Sequence, residues 1–107
     1  MAPLLAALTL ASGLFGTVSR GPTTPVCRVG VPCSKPAVGV RLEFVRGGRV
    51  VRSVVTGARG AYRVLLPPGT YALRVEPRSP VGGVKPATVT VGSALRRVDV
   101  FVDTGIR

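Results

Sequence analysis

The chain has 107 residues, with 15 Lys and Arg against 4 Asp and Glu, a formal net charge of +11, and 14 Gly and 10 Pro. That length supports one domain at most. His, Trp, Asn and Gln are all absent, which excludes Ser-His and Cys-His nucleophile pairs, imidazole metal ligands and N-glycan acceptor sites.

Residues Ala2 to Val18 carry no charge, and every charged side chain lies from Arg20 onward. Leu4, Leu5, Ala6, Ala7, Leu8, Leu10 and Ala11 form a dense apolar centre, followed by small residues from Ser12 to Ser19. This order predicts a secretory signal peptide over residues 1–19, although Met1-Ala2-Pro3 supplies only the α-amine as positive charge. Thr17 and Ser19 permit cleavage before Arg20, and Ala11 with Gly13 offers an earlier site. The competing reading is an uncleaved anchor helix. The uncharged stretch stands at the lower limit for spanning, and Gly13 and Gly16 weaken a helix. Export puts the protein outside the cytoplasm, secreted or at the cell envelope, with no stable membrane span after processing. Cys27 lies too far past the apolar stretch to carry a lipid anchor.

Residues 20–36 are rich in Pro, Gly, Thr and Ser and read as a loop or extended arm. Within it, Cys27 and Cys33 enclose Arg28-Val29-Gly30-Val31-Pro32. Two Cys without His cannot fill a zinc site, and the spacing is too long for a C-x-x-C redox motif. In an oxidising compartment a local disulfide follows, worth about 2 kcal/mol for so small a ring.

From Ala37 to Arg107 the pattern is that of strands and turns. Val38, Val40, Leu42 and Phe44 alternate with Gly39, Arg41 and Glu43, as in a half-buried strand. Gly47-Gly48 then predicts a hairpin into Val50–Thr56, whose valines occupy both parities and leave its buried face open. Gly57 to Gly60 is a turn, residues 62–66 a strand, and Pro67-Pro68-Gly69 the next turn. Tyr71, Leu73 and Val75 alternate with polar neighbours, and residues 77–86 connect to strands at 88–91 and 98–102. Along the last of these, Val98, Val100 and Val102 should face one way, with Asp99 and Asp103 together on the other. Six short strands at regular spacing, each joined by a turn signal, predict a small antiparallel all-β sandwich or barrel.

Two segments carry a family resemblance. Thr56-Gly57-Ala58-Arg59-Gly60-Ala61-Tyr62 and Leu66-Pro67-Pro68-Gly69-Thr70-Tyr71-Ala72-Leu73-Arg74-Val75 resemble prealbumin-like (transthyretin-like) modules of the carboxypeptidase regulatory-like and collagen-adhesin B-type kind. The resemblance implies a Greek-key β-sandwich of six or seven strands and says little about function, because such modules serve as stalks, spacers and adhesion units. The Lys–Asn isopeptide bond of the adhesins is excluded by the lack of Asn. Hydroxyisourate hydrolase activity is excluded by the lack of His and by the ending Asp103-Thr104-Gly105-Ile106-Arg107. The Cys27–Cys33 segment and that ending look like small secreted bacterial members.

No catalytic, metal or cofactor site is expected. Asp99 and Asp103, four apart on one strand, would lie about 13 Å apart, too far for paired acid–base work. Tyr71 reads as a packing residue with its hydroxyl on backbone. The arginine excess, thirteen Arg against two Lys, also matches GC-rich coding. With Phe44, Tyr62 and Tyr71 assigned to the core, no stacking platform for nucleic acid is in view. The expected partner is an anionic envelope polymer or an acidic protein, met by sheet-face arginines of which Arg41, Arg63 and Arg74 are the candidates. The alternative is a soluble carrier or inhibitor that binds a small ligand or an enzyme through its loop ends.

Overall fold

The computed structural model describes residues 12–22, 26–30, 33–76 and 83–103, which form an all-β unit of two sheets. Most of the apolar leader, residues 1–11, lies outside the described residues, as do much of the 77–86 connection and the 104–107 ending.

The four-stranded sheet follows from alternation. Strand β3 (Arg41–Arg46) buries Leu42 and Phe44 completely while Arg41 and Arg46 stay exposed. Gly47 and Gly48 both take positive φ, 60° and 77°, and return the chain into β4 (Arg49–Val55). Side chains other than glycine rarely adopt two such residues in succession. Strand β6 (Gly69–Glu76) turns Tyr71, Leu73 and Val75 inward, and β8 (Thr88–Val91) adds Val89 and Val91. The order is β4-β3-β6-β8, antiparallel throughout.

Tertiary pairing resolves the face of β4. Val54, opposite Leu42, packs against the core, whereas Val50, Val51 and Val55 are exposed. The strand lies at the sheet edge, and a register shift between Phe44 and Val45 disrupts its alternation. Val38 departs from expectation: it is exposed in a turn closed by Gly39, at φ 71°, and β3 begins only at Arg41. Buried Thr56 holds that turn: its hydroxyl accepts from the Val40 N–H at 2.9 Å and donates to the Ala37 carbonyl at 2.5 Å.

The second sheet is organised by a strand that the sequence reading did not assign, β1 (Gly13–Gly21). Its first half pairs antiparallel with β5 (Ala61–Leu65) and parallel with β9 (Leu95–Arg97). Its second half pairs antiparallel with β2 (Lys35–Pro36) and parallel with β10 (Val100–Asp103), which in turn pairs with β7 (Val84–Lys85). This sheet is mixed, not purely antiparallel. The strand runs across the boundary drawn between Ser19 and Arg20, so the segment read as an arm is strand up to Gly21 and again at β2. Leu14 and Val18 are fully buried, in one core with Leu42, Phe44, Leu66 and Tyr71. Each contributes about 1.5–3 kcal/mol by leaving water.

The chain from Leu95 to Asp103 holds one register against β1, yet it breaks at Val98-Asp99. Asp99 therefore stands outside the strand, while Asp103 ends β10. The two carboxylates do not share one strand face as the sequence reading had it. Cys27 and Cys33 are joined by a disulfide, with Cα atoms 5.5 Å apart. No helix among the described residues is long and apolar enough to cross a membrane.

Candidate functional site

The residues of the Thr-x-x-x-Gly-x-Tyr and Leu-Pro-Pro-Gly-x-Tyr segments serve the fold. Gly60 approaches the Val18 carbonyl of β1, Tyr62 donates its hydroxyl to the Val98 carbonyl at 2.5 Å, and Tyr71 donates to the Pro67 carbonyl at 2.5 Å. Tyr62 pairs with Gly16, and Val98 lies beyond β1, so the ring crosses the strand above a residue with no side chain. Burial pushes the Tyr62 phenol up to about 12, the Asp99 carboxylate adding to the rise and Arg97 opposing it. Gly69 leaves room for Arg46, whose guanidinium bonds the Pro68 carbonyl at 3.4 Å and lies 5.8 Å from the Tyr71 ring centre.

The three candidate arginines do not form one patch. Arg41 and Arg74 share the outer face of the four-stranded sheet, where Arg41 is in register with Glu76 and Arg74 with Glu43. The Arg74 Nε stands 3.7 Å from the Glu43 carboxylate. Two of the four acidic residues thus face these two arginines, and that surface is close to balanced in charge. Arg63 is exposed on the other sheet, on β5, with no acidic partner among the described residues.

Around Arg63 the second sheet presents a different surface. Pairing sets Arg63, Phe15 and Arg97 side by side across β5, β1 and β9. Together with Thr17, Ala61 and Leu95 they line an open groove of about 510 Å³. Phe15 alternates with buried Leu14 and is only partly covered. Beside it, Asp99 accepts the Thr17 N–H at 3.0 Å and the Arg97 Nε at 3.3 Å. The Thr17 N–H, and after it Arg97, hold the Asp99 carboxyl below its ordinary range. A β-carbon on Gly16 would lie 2.4 Å from the Val98 carbonyl oxygen and 2.8 Å from the Asp99 carboxylate, so glycine is what admits this close turn.

Sequence reasoning missed the groove for a plain reason. Phe15 lies in the stretch assigned to the leader, and nothing local reveals that Arg63 and Arg97 become its cross-strand neighbours. The side chains present are arginine, phenyl and threonine hydroxyl, with one carboxylate already hydrogen-bonded. They equip the groove to hold an anion against an apolar floor. Neither a scan of protein-family models nor a search of curated proteins finds a match to the chain.

Proposed function

We propose that this protein is an exported, non-catalytic prealbumin-like module of the Greek-key kind that binds anionic polymers of the cell envelope or its surroundings. The observation that carries the reading is the charge, +11 with only four acidic residues, in a chain where most of the described arginines stand at exposed positions, Arg20 and Arg74 being half-buried. The disulfide supports an oxidising location. The all-β unit and the structural work done by Thr56, Gly60, Tyr62, Gly69 and Tyr71 support the family resemblance.

Export in this reading removes the leader at or before Gly13. Cleavage before Arg20 would delete β1 as far as Ser19 and with it Leu14 and Val18, both fully buried. The site offered by Ala11 and Gly13 leaves both in place.

Electrostatic attraction to a polyanion weakens with salt as the Debye length falls to about 8 Å at physiological strength. Retention on isolated acidic cell-wall polymer, followed across a salt series, tests the reading. The protein should be held at low salt and released as salt rises. Absence of retention at low salt would refute it.

A further inference from the structure

Resting on the anionic-partner reading above, we propose that the groove over Phe15 binds the carboxylate-bearing sugar units of an acidic polysaccharide. A hexuronate ring has an apolar face of C–H groups and a carboxylate at its rim. The groove offers the complement, a partly exposed phenyl ring with an arginine on either side. Neighbouring strands are about 4.8 Å apart, so the two arginine Cα atoms stand about 10 Å apart with the ring between them. A sugar stacked on Phe15 has its carboxylate within reach of a guanidinium, which takes carboxylates through two parallel hydrogen bonds.

The two arginines are not equivalent. Arg97 donates its Nε to Asp99, which fixes its direction and offsets part of its charge. Arg63 has no acidic partner among the described residues and is the cation that takes the carboxylate. The Thr17 hydroxyl donates to Asp99 at 3.4 Å, and its oxygen can accept from a sugar hydroxyl at the groove edge.

A polymer fits better than a single sugar, because the same face repeats the arrangement. Phe101 is in register with Ser19 on β1, four residues beyond Phe15, and with Lys85 on β7. A second partly exposed phenyl ring beside a cation therefore lies about 13 Å farther along the sheet. Two separated phenyl rings suit spaced sugar units, whereas consecutive stacked bases need a closer series of aromatics.

The test compares binding of the exported protein to polygalacturonate, to polyphosphate and to single-stranded DNA at one low ionic strength. Phe15→Thr removes the ring without changing charge, Arg63→Gln removes the free cation, and Arg41→Gln removes the same charge from the opposite sheet. Thermal unfolding verifies that each variant is folded, and Arg63→Gln, at an exposed position, keeps the test intact if Phe15→Thr is not.

Preferred binding of polygalacturonate is expected, weakened about tenfold by Phe15→Thr and by Arg63→Gln and less than about threefold by Arg41→Gln. Equal losses for Arg63→Gln and Arg41→Gln, with none for Phe15→Thr, would overturn the groove while leaving the anionic-partner reading standing. Tighter binding of DNA, sensitive to Phe15→Thr, would overturn the sugar assignment in favour of nucleic acid. No binding to any of the three polyanions would overturn both.

Discussion

Gly60 sits so close to Val18 that a β-carbon on it would lie 2.2 Å from the Val18 carbonyl oxygen. The residue also takes φ 74°, a left-handed conformation that costs other residues about 1–2 kcal/mol. The contact locks the turn before β5 onto β1, the strand that carries the second sheet. Gly60→Ala should therefore destabilise the fold by more than about 2 kcal/mol. Gly39, at φ 71° with nothing within 4 Å of its virtual β-carbon, is the control. Gly39→Ala should cost only the conformational penalty, about 1 kcal/mol. Urea unfolding of the two variants beside the parent measures both, and equal losses would contradict the steric role of Gly60.

Removal of β1 should abolish folding. A chain beginning at Ser12 should unfold cooperatively, while one beginning at Arg20 should lack a cooperative transition, since it loses two core residues worth about 1.5–3 kcal/mol each and the hydrogen bonds of β5, β9 and β10. The intact mass of the exported protein should place its N-terminus no later than Leu14. A mass beginning at Arg20 in folded protein would refute this.

Thr56 closes the turn ahead of β3 with one hydroxyl shared between two backbone groups, the Val40 N–H and the Ala37 carbonyl. Thr56→Val keeps the shape but leaves both groups buried without that partner, at about 1–3 kcal/mol. Thr56→Ser, which keeps the oxygen, should lose much less. Chemical denaturation separates the two, and similar losses would mean that the methyl group matters more than the hydroxyl.

The pH dependence has two arms. The Asp99 carboxyl is lowered in the folded state, so its contribution is present above the unfolded value, near 3.8, and is lost as pH falls through the folded one. The Tyr62 phenol is raised from 10.0 to about 12, so its contribution is complete below pH 10 and declines as pH rises toward 12. Asp99→Asn should flatten the acid arm and Tyr62→Phe the alkaline arm, each leaving the other in place. Thermal midpoints across the pH range measure both, and an alkaline arm unchanged in Tyr62→Phe would exclude the phenol as its source.

Local pattern was enough for the strands whose inward and outward residues differ in polarity. Leu42 and Phe44 against Arg41 and Glu43, or Tyr71, Leu73 and Val75 against Thr70 and Arg74, could only be half-buried strands, and Gly47-Gly48 could only be a tight turn. The pairing of Cys27 with Cys33 was likewise legible, because a short ring needs no distant partner. Strand β1 was hidden for the opposite reason. As far as Ser19 its outward residues Phe15, Thr17 and Ser19 are uncharged like the inward Leu14, Gly16 and Val18, so it merged with the apolar leader before it. Which arginines stand free was decided by the tertiary structure alone. Cross-strand pairing set Glu43 and Glu76 against Arg74 and Arg41, left Arg63 without an acidic partner among the described residues, and put it next to Phe15 from a strand more than forty residues away in sequence. Register between distant strands depends on how whole faces pack, and no single segment contains that information.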